Sequence, residues 1–320
     1  MATNLTNRIL KGDIRAAARL MSDIEDGIPE AIKELGSLYF HTGKAYVVGL
    51  TGAPGVGKST LADSLIEGFR RRNMTVGVVA VDPSSPFTGG ALLGDRIRMQ
   101  RHSADKGVFI RSLATKGWGG GLSKATTSTI HILDAMGKDI ILVETVGSGQ
   151  IEIEIVKVAD TTILVLAPGS GDAVQMLKAG ILEAADIFVI NKADWDGADS
   201  LKLQLDDMLS MKPKSPGDWK PGIVLAEALR DKGTEELITQ ILRHREFLVS
   251  SGQLVKRRRE RAKRELVEII EHSMKDYVNS LLDENYLEKV IDHLLQRKTN
   301  PYSAALRVVN QFINKVKEGK

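Results

Sequence analysis

Seven short apolar runs, AYVVGL, TVGVVAV, VFIRS, DIILVE, TTILVLA, DIFVIN and GIVLA, mark residues 45–226 and constrain the chain more than any other feature. Each is short, rich in β-branched residues and bounded by polar or glycine-containing segments, so each reads as a strand. The stretches between them carry helical periodicity, and strands alternating with helices build βαβ units. Runs that are apolar at nearly every position suit a parallel sheet covered on both faces. The expected class is α/β with a mostly parallel central sheet. IEIEIVKVAD alternates like a strand, yet it must fit between two neighbouring strands. It reads as a helix, against the preference of its β-branched residues.

Helical segments flank this region. Ile9, Ile14, Ala17, Ala18, Met21 and Ile24 approximate one helical stripe, and Pro29 opens a second segment through Ile32 and Leu35 that Gly43 ends. After Ser250 the strands stop, and Ala262, Leu266, Ile269, Ile270, Met274, Tyr277 and Leu281 keep a helical stripe behind the basic run KRRRERAKREL. A further helix follows Asn300 and Pro301. The expected division is an N-terminal helical extension over 1–43, an α/β domain over 44–250 and a C-terminal helical arm over 251–320. MKPKSPGDWKPG, residues 211–222, reads as a loop because its prolines and glycines forbid a regular element.

GAPGVGKST, residues 52–60, follows the first apolar run and precedes a helical pattern, which is the setting of a phosphate-binding P-loop. The candidate nucleotide contacts are Gly52, Ala53, Pro54, Gly55, Val56, Gly57, Lys58, Ser59 and Thr60. The glycines let backbone amides turn toward phosphate oxygens, and the helix beginning near Lys58 points its positive end there. Lys58 would bridge the β- and γ-phosphates, and the Ser59 hydroxyl would ligate Mg²⁺. Magnesium also needs carboxylates nearby, for which Asp82, Asp95 and Glu144 are candidates. Glu144 ends an apolar strand, whereas Asp82 before Pro83 and Ser84 is also the pattern of a helix cap. Gly147 stands three residues past Glu144, placed to offer its amide to the γ-phosphate.

Asn191, Lys192, Ala193 and Asp194 follow the strand DIFVI. A carboxylate there accepts both the N1–H and the 2-amino group of guanine, a donor pattern that adenine lacks. NKAD alone is a weak signal, but at the end of a late strand in a P-loop domain it favours guanine. Ala226, Glu227 and Ala228 follow GIVL, either closing over the base or forming an ordinary strand-to-helix turn.

These motifs, in this order, resemble the MeaB/ArgK-type GTPases, the methylmalonic aciduria type A protein family. RILKGDIRAAARLMSDIED, VAVDPSSPFTGGALLGDRIRM, ILVETVGSGQ, APGSGDAVQMLKAGILEAADIFVINKAD and NPYSAAL carry the likeness, which covers nearly the whole chain. The resemblance implies a P-loop G domain with a C-terminal dimerisation arm, hence a homodimer. It further implies a GTP-hydrolysing chaperone that gates adenosylcobalamin loading and protects an adenosylcobalamin-dependent acyl-CoA mutase, with no cobalamin bound by this chain itself. Lys58, Ser59, Asp82, Asp95 and Glu144 would carry the Mg-GTP site, and Asn191, Lys192 and Asp194 would read guanine. Three segments, 84–99, 145–154 and 168–180, would change conformation with the nucleotide. Ser148 and Met176 stand where many members have other residues. Gln150 reads as a surface residue of the second segment rather than the one that orients the attacking water, which leaves slow turnover that a partner raises.

Composition narrows the alternatives. With no cysteine there are no disulfides or thiolate metal sites, and the six histidines are scattered, which argues against a nickel-insertion metallochaperone. Nothing reads as an acceptor site for a transport-associated kinase. Lys and Arg total 44 against 41 Asp and Glu, and Glu260 and Glu265 interrupt the basic run, so no nucleic-acid partner is expected. The opening lacks a long apolar core before a small-residue cleavage site, and no run approaches the roughly 18 apolar residues of a membrane span. A cytoplasmic protein with no membrane partner is expected.

Overall fold

All seven apolar runs become strands of one sheet: β1 (Tyr46–Thr51), β2 (Val76–Pro83), β3 (Val108–Thr115), β4 (Ile140–Thr145), β5 (Thr161–Leu166), β6 (Ile187–Asn191) and β7 (Gly222–Ala226). In this computed structural model residues 5–83, 100–102, 104–115, 123–145, 151–169, 184–211, 217–281 and 284–317 are described. Every strand pairing is parallel, in the order β3-β2-β4-β1-β5-β6-β7. The helices are α1 (Leu5–Leu10), α2 (Ile14–Glu25), α3 (Pro29–Tyr39), α4 (Lys58–Arg71), α5 (Ser123–Ala135), α6 (Ile151–Val158), α7 (Ala198–Met211), α8 (Thr234–Ser250), α9 (Gln253–Leu281), α10 (Glu284–Leu295) and α11 (Pro301–Lys317). IEIEIVKV is thus α6, because a parallel connection from β4 to β5 requires a crossover element.

The chain divides into two compact units, residues 1–257 and 258–320. In the first, strand alternation sorts the core into two faces. Tyr46, Val48, Leu50, Ile140 and Leu142 belong to the cluster that includes Leu61 and Leu65 of α4 and Leu237 and Ile241 of α8. Val47, Val79, Val81, Ile141 and Val143 belong to the other, with α1, α2, α3, α5 and α6. Gly49 allows the closest approach on that second face. A Cβ there would stand 2.8 Å from Ile155 Cγ1 of α6, so the helix lies directly on the strand backbone.

The first helical stripe is broken where the sequence suggests continuity. Gly12 adopts φ +81°, and the Asp13 side chain accepts from the amides of Arg15 and Ala16, starting α2 afresh. Ile14 and Ile32, placed in the apolar stripes by spacing alone, are exposed. Entry into the sheet is fixed by the buried Asp134 of α5, whose carboxylate accepts the amides of Gly43, Lys44 and Ala45 at 2.6, 3.1 and 2.9 Å. The second unit contains the rest of α9, α10 and α11; α10 is an element that the sequence reading did not separate. Leu266, Ile269, Ile270, Met274 and Tyr277 are about half exposed along α9. Among the described residues no helix is long and apolar enough to cross a membrane.

The amino end of the sheet holds a buried polar network. Arg257 donates to both carboxylate oxygens of Asp186, at 3.0 and 2.8 Å, and Asp186 Oδ2 also accepts the Thr162 amide at 2.8 Å. Thr161 Oγ1 lies 2.5 Å from Tyr46 Oη and 2.8 Å from His244 Nδ1, and Trp219 packs on the imidazole at 4.6 Å. Burial, opposed by the nearby Asp186 charge, pushes the His244 pKa down to about 4. An unfolded histidine titrates near 6.5, so the folded chain binds fewer protons between these values. Its stability contribution is complete above about pH 6.5 and is lost as pH falls toward about 4, by about 3 kcal/mol. Thermal unfolding followed from about pH 4 to about pH 7 should show this acid loss, and His244→Gln should flatten it.

Candidate functional site

The carboxyl end of β1 delivers the chain directly into the amino end of α4 through residues 52–57. Gly52, Gly55 and Gly57 have φ of +147°, +78° and +94°, a region that L side chains rarely adopt. Space excludes a side chain as well: a Cβ on Gly52 would stand 2.2 Å from the Val165 carbonyl oxygen, and one on Gly57 2.3 Å from Asn191 Nδ2. Gly57 supplies no capping side chain, so the positive end of α4 faces the loop itself. The Lys58 ammonium is buried and donates to the Gly52 and Ala53 carbonyls at 2.5 and 2.9 Å. Ala53 and Val56 are buried beneath the loop, Pro54 and Gly55 are exposed, and Thr60 is half-buried on α4. The result is a fixed turn with a cation drawn into it.

Beside it, strand parity places an acid. Ile140 and Leu142 face the α4 side of the sheet, so Glu144 faces that side too. Ser59 Oγ donates to Glu144 Oε1 at 2.6 Å, and both residues are buried. A hydroxyl and a carboxylate at this separation are hard oxygen donors suited to Mg²⁺, which takes few protein ligands alongside phosphate and water. Among the described residues no group of three His, Cys, Asp or Glu forms a metal cage. Asp82 lies on β2, two residues beyond the Ala80 that pairs with Glu144. Asp95 and Gly147 lie outside the described residues, as do 84–99, 146–150 and 170–180 of the three switch segments, together with Trp118 and residues 212–216 of the expected loop.

The end of β6 supplies the second half. Buried Asn191 donates from Nδ2 to the Val56 carbonyl at 2.8 Å and accepts the Ala228 amide on Oδ1 at 3.0 Å. One side chain therefore ties the 52–57 loop to the turn after β7. The Ala193 amide donates to the Ala226 carbonyl at 3.0 Å, closing the same seam through backbone. Lys192 adopts φ +58°, and its ammonium stands 4.2 Å over the Trp195 ring. Asp194 presents its carboxylate at the surface, in an ion pair with Arg230 at 3.2 Å. Glu227, expected near a base, turns its carboxylate to Arg230 at 2.8 Å and Lys232 at 2.9 Å. Those two hydrogen bonds, Arg230 first, hold its carboxyl below the usual carboxylate range.

The structure thus brings residues 52–60, Glu144, Asn191, Lys192, Asp194 and 226–228 to one edge of the sheet. It also adds Arg230, which sequence reasoning missed. Its spacing from Glu227, three residues in a turn, was the available signal, but the partner Asp194 lies 36 positions away.

The chain is similar to several known proteins. The sequence pattern of the family described as methylmalonyl Co-A mutase-associated GTPase MeaB matches residues 17–282. A protein of Pyrococcus abyssi named as a GTPase is 50% identical over 316 residues, covering 98% of this chain and 97% of the relative. The GTPase ArgK of Escherichia coli is 31% identical over 320 residues, covering 96% and 95%. The crystal structure of a LAO/AO transport system kinase shares the fold with a TM-score of 0.71 at 24% identity, over 97% of this chain and 96% of that one.

Because Asn191 satisfies two backbone groups that belong to different loops, Asn191→Ala should cost about 1–3 kcal/mol of stability. Amide exchange should rise at Ala228, whose N–H loses its acceptor, and within the 52–57 loop, whose Val56 carbonyl loses its donor; an increase confined to one of the two segments would contradict the strap.

Proposed function

The chain belongs to the MeaB family of methylmalonyl-CoA mutase-associated GTPases, and on that premise we propose that it binds Mg-GTP on residues 52–60 and hydrolyses it to time the servicing of an adenosylcobalamin-dependent acyl-CoA mutase. The observation that carries the nucleotide reading is the buried Ser59–Glu144 hydrogen bond at 2.6 Å beside an inward-turned Lys58. Hydroxyl, carboxylate and ammonium are brought together at the positive end of α4, which is what a triphosphate and its cation need.

On this reading Lys58 exchanges its two carbonyl partners for β- and γ-phosphate oxygens, moving its charge by no more than a side-chain rotation. Loop amides and Lys58 then stabilise charge on the equatorial oxygens while water attacks the γ-phosphate in line. Mg²⁺, when bound, neutralises phosphate charge next to Ser59 and Glu144. Asp82, Asp95 and Gly147 complete this site in the proposal, Gly147 through its amide. Asn191 holds the loops together, Lys192 lies along the base, and Asp194 accepts the guanine N1–H and 2-amino protons, with the 226–228 backbone at the base edge.

The client is an acyl-CoA mutase, by the family's description. Homodimerisation through residues 251–320 is proposed from the half-exposed apolar positions of α9, since a contiguous apolar stripe of this kind marks an interaction surface. The working compartment is the cytoplasm, residues 1–43 serve the 44–250 domain as a structural extension, and no cobalamin is held by this chain.

Lys58→Ala should reduce GTP turnover by at least about 100-fold, measured as phosphate release under multiple turnover. Retained turnover would remove the phosphate-site assignment. Mixing the purified chain with an adenosylcobalamin-dependent acyl-CoA mutase should yield a complex whose stability and cofactor loading differ between GTP and GDP. No complex with such a mutase, in either nucleotide state, would point to another client.

A further inference from the structure

At the rim of the base-side loops one guanidinium joins two carboxylates. Arg230 Nη1 lies 3.2 Å from Asp194 Oδ2 and 2.8 Å from Glu227 Oε2, and Lys232 Nζ lies 2.9 Å from Glu227 Oε1. These charged groups differ in exposure. Glu227 is the most enclosed, with a side chain 16% exposed, against 36% for Asp194 and 61% for Arg230. The groups form a chain: an enclosed anion held by two cations, a guanidinium fixed on that anion, and a second carboxylate paired to the guanidinium. Its frame is fixed in turn, because Arg230 ends the short turn Ala228–Arg230 whose first amide is held by Asn191.

A surface ion pair of this kind adds little to folding stability. What it restrains is orientation. The terminal torsion of an aspartate is broad, and a bidentate pair with guanine requires both carboxylate oxygens in the plane of the base. A guanidinium on Oδ2 narrows that torsion before the ligand arrives, which lowers the ordering cost of binding. We propose that Arg230, anchored by Glu227, is a positioning residue that presents the Asp194 carboxylate to guanine and so sets the preference for a base bearing a 2-amino group. This rests on the reading of Asp194 as the guanine-selecting carboxylate. It gives Glu227 the part of an anchor for Arg230.

Competition binding of GDP, IDP and ADP to the full chain, with thermal unfolding in parallel, tests the assignment in wild type, Arg230→Ala and Arg230→Lys. IDP differs from GDP only in lacking the 2-amino group. Arg230→Ala should lose about tenfold of the preference for GDP over IDP, the value of one charge-assisted hydrogen bond, at an unchanged unfolding midpoint. Arg230→Lys keeps the charge without the planar fork and should recover part of that preference. A wild-type GDP-to-IDP ratio in Arg230→Ala overturns the positioning role while leaving the guanine site intact. Equal weakening of GDP and IDP, tracking a lowered midpoint, overturns it in favour of a structural role. Failure of the wild-type chain to prefer GDP over ADP overturns the reading of Asp194 and this assignment with it.

Discussion

The arrangement depends on one constraint, the parallel pairing of β1 with β4 on one side and β5 on the other. A strand flanked in this way has no free edge, and every residue from Tyr46 to Thr51 is buried. Its direction then decides where the chain emerges. Chain order runs from β1 outward to β2 and β3, returns through β4, and crosses over β1 to β5, so the carboxyl end of β1 sits at the reversal of strand order. In open α/β sheets ligands bind at that crevice. The glycine loop has to turn there within a backbone gap that a Cβ on Gly52 would close against Val165.

Two polar clusters hold the opposite ends of this sheet. At the carboxyl end Asn191 spans from the phosphate-side loop to the turn after β7, so a shift in either loop moves the other. At the amino end Asp186, Arg257, Thr161, Tyr46 and His244 tie β1, β5, β6, α8 and the start of α9 together. Burying polar groups is tolerable where they find partners, which makes each network specific in geometry. The first gives the site its shape, and the second keeps the strands that bear it in register. Their separation allows the site edge to carry exposed charges such as Asp194 and Arg230 without loosening the core.

Much of this was legible before folding. The seven strands follow from β-branched apolar runs, and the P-loop follows from glycine spacing between a strand and a helix. IEIEIVKV was the instructive case. Its alternation suggests a strand, but the crossover between β4 and β5 demands a helix, and Ile155 then finds its place on the bare backbone of Gly49. Periodicity misjudged the first forty residues in the other direction. A stripe from Ile9 to Ile24 reads as continuous, whereas Gly12 in a left-handed conformation and the Asp13 cap divide it. Local hydrogen bonding at a single aspartate outweighed the apolar period.

The sequence by itself determined the seven strands, their parallel arrangement and the residue types able to hold a phosphate, a hard cation and a base, because strand alternation and glycine geometry are local properties. Glu144 could be placed on the α4 side from parity once β4 was known. Tertiary structure alone decided which groups meet. Ser59 and Glu144 are 85 positions apart, Asn191 and Val56 135, and Asp194 and Arg230 36, and each becomes a contact only through the register of β1, β4, β6 and β7. It also turned Glu227 toward Arg230 and Lys232. Contacts between strand ends depend on how the sheet is ordered, and that order is a property of the whole domain rather than of any window of sequence.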